Sequence, residues 1–247
     1  MEVGRAVIAA GFFGIAAVSF IFFTDPPVAV TVSDAQLRPM GKGLAFVGKI
    51  NNIGNPDTLN GIGSDAAVLA TLTDDAEQLA IPGASSPTLA MDGVHGMLMG
   101  VHGEMSEGRL IPVTLWFENA GRVVTRARIT GETPMAHDEL LNITADETPP
   151  EIAITAAENR GEWTITVETT NITLSNQDVD NPHQTGIGHA HLYLNGLKLQ
   201  RMYSTTATIG ALPPGEHILR VTLNTNDHRA YAIDNIPISA TTTLVVD

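Results

Sequence analysis

Cysteine is absent from the 247 residues. That absence excludes disulfides, thiol nucleophiles, iron–sulfur clusters and every zinc site built on thiolate, so a metal must sit on histidine, methionine or oxygen. Positive charge is scarce: 13 Lys and Arg stand against 27 Asp and Glu, a formal net charge of −14. Such a surface repels a phosphate backbone, so no nucleic-acid partner is expected, and it draws in cations. Aromatic residues are 5% and charged residues 16% of the chain. No segment beyond the N-terminal run has helical periodicity, so helical solenoids and coiled coils do not fit. No G-x-S-x-G elbow, P-loop, H-E-x-x-H helix or dinucleotide fingerprint occurs, and the chain reads as a binder, not an enzyme.

The one long apolar run is residues 6–23 (AVIAAGFFGIAAVSFIFF), 18 residues without a charge. As a helix rising about 1.5 Å per residue it spans roughly 27 Å, the depth of a hydrocarbon core. It exceeds a usual signal-peptide h-region, and the following TDPPVAV lacks an A-x-A site. A transmembrane signal anchor is therefore expected over 1–24, with a cleaved signal peptide as the alternative. Arg5 on its near flank favours an inside N-terminus, which places the remainder in the periplasm, anchored to the inner membrane.

From residue 28 onward the apolar period is two, the mark of half-buried strands. Strands are expected at 28–32, 44–50, 66–72, 110–118 and 122–129, divided by turns such as IGNPD and NAG. Alternation lapses across 131–150 (GETPMAHDELLNITADETPP), an acidic stretch with three prolines that reads as a linker. It resumes around Ile152, Trp163, His189, His217 and Thr241. The expected fold is all-β: a first β-sandwich at 25–132, a linker at 133–149 and a second, Ig-like β-sandwich at 150–247, after the N-terminal helix.

Eight histidines and eight methionines are present, and Met91, His95, Met97, Met99, His102 and Met105 crowd into residues 91–105. On a strand, His95, Met97 and Met99 share one face. Thioether is a soft ligand and imidazole a borderline one, so this set favours copper, Cu(I) above all. Methionines filling an irregular core are the bland alternative.

The stretch IPGASSPTLAMDGVHGMLMGVHGEMSEGRLIPVTLWFENAGRVVTRARI (81–129) resembles the latter half of the PCuAC periplasmic copper-chaperone domain. VTVSDAQLRP (30–39) and LAFVGKINNIGNPDTLNGIGSDAA (44–67) are similar to its opening. The resemblance covers about 28–132 and implies a cupredoxin-like sandwich that carries Cu(I) outside the cytoplasm, commonly toward cytochrome oxidase. The family's ligands are a histidine, a later methionine and a closing H-x-M pair. His95 and Met97 match that pair. Thr73 stands where the first histidine belongs, and no methionine lies between Thr73 and Ala90. Three alternatives follow: His102, Met105 or Met91 fills the shell, a partner completes it, or the domain has lost copper.

A second constellation lies further on. His189 and His191 (GHAHLYLNG) share one strand face, opposite Ala190, Leu192 and Leu194, which read as core. They are candidate ligands with His228 in NTNDH, where Asp227 is placed to orient or bind, and His183 is a further possibility. Three imidazoles with an acidic neighbour suit Cu(II) or zinc. Solvated edge histidines are the alternative. His217 shares its parity with Leu219, Val221 and Leu223 and reads as buried.

The metal candidates are thus His95, Met97, His102 and Met105 for Cu(I), and His189, His191 and His228 for Cu(II). The expected function is an extracytoplasmic copper-binding protein or metallochaperone serving a copper acceptor protein. The alternative is a scaffold with a decayed metal site that aids assembly of a membrane copper enzyme.

Overall fold

The computed structural model describes residues 29–74, 76–131, 139–144 and 147–247. The expected N-terminal anchor lies outside these residues; among the described residues no helix is long and apolar enough to cross a membrane. Their regular structure is all strand.

In the first half, Val30–Met40 runs antiparallel to Gly43–Asn52, which also pairs with Thr88–Leu89 and Gly96–Met99; the last of these pairs with Leu69–Leu72. A second run joins Leu79–Ile81, Asp57–Gly63, Leu110–Phe117 and Gly121–Ile129. Leu44, Phe46 and Leu98 from the first run and Leu59, Ile111 and Leu115 from the second meet in one core. Within Leu110–Phe117 the inward face appears as expected, with Ile111, Val113, Leu115 and Phe117 buried and Trp116 exposed on the other face, but Thr114, expected to point outward with Trp116, is buried as well. Asp57–Gly63 has no expected counterpart, because a register shift between Leu59 and Gly61 breaks its alternation. The strand expected at 66–72 is shorter, Leu69–Leu72, since Ala67 N–H turns back onto the Ser64 carbonyl.

In the second half, Ile187–Leu194 lies between Leu197–Met202 and Gly215–Asn224, and the latter pairs with Ser239–Val246. Glu151–Asn159, Glu162–Thr170 and Thr206–Ile209 form a separate three-stranded sheet. Ile165 and Val167 of that sheet pack with Leu192, Leu219 and Val221. Within 131–150, Leu140–Asn142 forms a strand parallel to Ala230–Ile233.

The two halves meet along a close seam. Thr88 pairs with Lys198, Val94 N–H donates to the Gly196 carbonyl (2.9 Å) and Gly83 N–H to the Ala211 carbonyl (2.8 Å). Leu197 packs into the first core and Ala80 into the second. A Cβ on Gly93 would stand 2.6 Å from the Gly196 carbonyl oxygen, so only glycine permits this approach of residues 90–94 to the Asn195–Gly196 turn.

Candidate metal centre

His189 and His191 project from one face of Ile187–Leu194, while Ala190, Leu192 and Leu194 enter the second core. That much follows from the period of two. The strand is central rather than an edge, however, and its other face is covered by the seam. Both imidazoles are 0% exposed. The alternative of solvated edge histidines is therefore excluded by strand order.

His228 arrives from the turn after Gly215–Asn224. Thr225 N–H donates to the Arg229 carbonyl (2.9 Å), His228 N–H to the Thr225 carbonyl (3.0 Å) and Asn224 Nδ2 to the His228 carbonyl (3.2 Å). The turn holds His228 in the left-handed region, φ 71°, which costs a non-glycine residue about 1 kcal/mol or more and marks a conformation imposed by its surroundings.

The three rings converge. His189 Nε2 lies 3.0 Å from His191 Nε2 and 3.3 Å from His228 Nδ1, and one nitrogen from each of the three fits within 4.8 Å. Nitrogens bound tetrahedrally at about 2.0–2.1 Å from one metal lie about 3.3 Å apart. Among the described residues this is the one cluster of histidine and carboxylate side chains with such spacing.

Two carboxylates assign the protons. Asp92 Oδ2 is 2.9 Å from His191 Nδ1, which therefore carries the hydrogen and leaves a lone pair on Nε2. Asp180 Oδ1 is 2.5 Å from His228 Nε2, which leaves the lone pair on Nδ1. Both lone pairs face His189 Nε2, which can donate to only one of them, and His189 Nδ1 is buried without a hydrogen-bond partner. The other donor near these nitrogens is Lys198 Nζ, 3.5 Å from His191 Nε2. A metal ion would accept from all three rings at once, and carboxylate–imidazole–metal chains of this kind fix ring orientation and ligand basicity.

Electrostatics agrees. Burial pushes the His189 pKa down to about 2, reinforced by His191 and His228 beside it. Burial also lowers His191 to about 4, against the opposing pull of the Asp92 hydrogen bond. At neutral pH both are neutral imidazoles, the form that ligates. Burial alone would raise Asp92, but the hydrogen bond from His191 and the Lys198 charge outweigh it and hold the carboxyl well below the usual range. Asp92 Oδ2 also accepts from Tyr193 Oη (3.0 Å) and Lys198 Nζ (2.6 Å).

Asp227, expected to serve His228, pairs instead with Arg229 (2.8 Å) and Thr225. The carboxylates that do reach the rings, Asp92 and Asp180, gave no local signal, because they come from distant chain segments. His183 is held by Tyr231 Oη (3.4 Å) and lies 3.5 Å from Glu147, outside the cluster. His217 is buried by hydrogen bonding, to the Pro213 carbonyl (2.8 Å) and Asn195 (3.2 Å), as its parity suggested.

In the first half, His95 is 7% exposed and precedes Gly96–Met99. Its Nδ1 donates to the Gly93 carbonyl (3.1 Å) and lies 3.5 Å from Thr73 Oγ1, so the lone pair is on Nε2, which is buried with no hydrogen-bond partner. Thr73 directly adjoins His95, whose backbone N–H donates to Thr73 Oγ1 (3.0 Å). Met97 is half-buried between Ala45 and Thr71. His102 and Met105 lie in an exposed segment braced by Arg109, whose guanidinium donates to the His102 and Glu104 carbonyls (2.7 Å each). His95 lines a cleft of about 420 Å³ at the seam with Met40, Met91, Asp92 and Tyr193.

Residues 30–129 match the sequence profile of a family described as putative LpqE-like lipoproteins. Among solved structures, an apo PCuAC domain from PmoF1 is similar at 28% identity, covering 42% of this chain and 95% of its own, with a TM-score of 0.39. A copper-bound PCuAC domain from PmoF2 is 23% identical, over 42% of this chain and 94% of its own, with a TM-score of 0.39. The solution structure of Cu(I)-DR1885 from Deinococcus radiodurans is 24% identical, over 43% of this chain and 77% of its own, with a TM-score of 0.33. No curated protein matches the chain.

Proposed function

We propose that this chain is an extracytoplasmic copper-binding metallochaperone, which holds the ion on histidine and methionine and passes it to an acceptor protein. The observation that carries the proposal is the convergence of His189 Nε2, His191 Nε2 and His228 Nδ1, with the protons of two rings assigned by carboxylates. These three nitrogens are borderline donors and suit Cu(II).

Cu(I) belongs to the first half, where a cupredoxin-like sandwich is implied by the PCuAC resemblance. His95 Nε2 would supply one bond and the Met97 thioether a second, with His102 and Met105 on the exposed segment able to complete the shell or to yield it to the acceptor. A shell with exchangeable members is what transfer by ligand exchange requires. Cytochrome oxidase is the class of acceptor that the resemblance implies.

The apolar run at 6–23 supplies the anchor in this reading. The matched family is described as lipoproteins, yet a thioether-linked lipid needs a cysteine, and the 247 residues contain none. The second half is read as Ig-like, and the protein as a carrier without turnover of its own.

Titration with Cu(II) and with Cu(I) under reducing conditions tests the proposal. Two binding events are expected, the Cu(II) event abolished by His191→Ala and the Cu(I) event by Met97→Leu. Uptake of neither ion below millimolar concentration would overturn it and leave a scaffold whose sites have decayed.

A further inference from the structure

Residues 91–95 belong to the first half, yet they touch both groups of candidate ligands. The Gly93 carbonyl accepts from His95 Nδ1, and Asp92 Oδ2, one residue earlier, accepts from His191 Nδ1 in the second half (2.9 Å). The segment is clamped from both sides. Gly93 N–H donates to the Ala90 carbonyl and Val94 N–H to the Gly196 carbonyl (2.9 Å each), Gly93 has no room for a Cβ, and Val94 is 1% exposed. Three donors, His191 Nδ1, Tyr193 Oη and Lys198 Nζ, converge on the single oxygen Oδ2, which leaves the carboxylate little freedom.

We infer that Asp92 is a positioning residue for the three-histidine centre, so that this centre is completed only when the first half is docked on the second; the inference rests on the metal-binding reading above. The chemistry is specific. A carboxylate on Nδ1–H fixes the tautomer that leaves His191 Nε2 free, raises its basicity toward a divalent cation and offsets the ion's charge. It also pairs the Lys198 ammonium, which lies 3.5 Å from the same Nε2 and would otherwise oppose a cation there. No group of the second half does this, because the other acceptor near His191 Nδ1 is the Tyr193 hydroxyl (3.2 Å), which itself donates to Asp92.

The test uses the full chain with Cu(II) alone and Zn(II) alone, competed against a chromogenic chelator. Asp92→Asn, which keeps size and an accepting oxygen but removes the charge, should weaken both ions by about 10–100-fold, the range for such supporting carboxylates, and should change the Cu(II) spectrum. Val94→Ala loosens the same segment without touching the carboxylate. It should lower the thermal midpoint while leaving metal affinity within a few-fold and the spectrum unchanged. Wild-type affinity and spectrum in Asp92→Asn would overturn the inference, as would parallel losses in the two variants, since Asp92 would then act through docking alone. Failure of the wild type to bind either ion would instead take down the underlying metal-binding reading, and this inference with it.

Discussion

His189 and His191 are imidazoles that folding has made hard to protonate, at about 2 and about 4 against an ordinary 6.5, chiefly because both are buried. An unfolded chain has no such burial, so below pH 6.5 the unfolded state binds protons that the folded state refuses. Stability of the metal-free protein must then rise with pH across that window and fall on acidification, by up to about 1.4 kcal/mol per pH unit for each ring. Asp92 contributes in the same direction but only in more acid solution, because its carboxyl stays ionised to well below the ordinary value of 3.8. Denaturant unfolding at pH 7, 6 and 5 should show the decline, and His191→Ala should make it shallower. A profile flat from 7 to 5 would mean that these rings are solvated when folded. The spacing H-x-H and its opposition to Ala190, Leu192 and Leu194 were legible in the sequence because side-chain parity is local. Burial was not, because it depends on a seam formed by residues a hundred positions earlier.

At the scale of elements, the strands with clean alternation were legible, Leu110–Phe117 above all, whereas Asp57–Gly63 was hidden by its register shift. The segment 91–95 was visible as chemistry, through its His and Met content, but not as architecture. Its close approach to the Asn195–Gly196 turn is a property of two elements together, carried by one missing side chain. Gly93→Ala places a Cβ 2.6 Å from the Gly196 carbonyl and 3.3 Å from the Tyr193 ring, so the segment must retreat from the hairpin. Forcing such overlap typically costs about 1–3 kcal/mol. Because Asp92 is the preceding residue, retreat also draws its carboxylate from His191. The variant should therefore lose stability and three-histidine affinity together, read by thermal unfolding and chelator competition. Loss of stability with wild-type affinity would show that the segment can shift without moving Asp92.

For the molecule as a whole, the seam decides whether the halves unfold together. Each has its own core, yet Leu197 completes the first and Ala80 enters the second, and the Asp92 carboxylate joins His191 and Lys198 across the boundary. An ion bound to the three histidines is therefore linked to both cores. Binding to the folded state alone stabilises by RT ln(1 + [L]/Kd), about 2.7 kcal/mol at a free ion concentration of 100 Kd. For a chain of this size about 1 kcal/mol moves the midpoint by roughly 2–4 °C, so a shift of about 5–10 °C is expected. Calorimetry with and without Zn(II), a redox-silent probe, should show one transition that moves as a unit, and Asp92→Asn should shrink the shift. Two transitions, of which only one responds to the ion, would mean that the seam is too weak to transmit occupancy of the second half to the segment carrying His95.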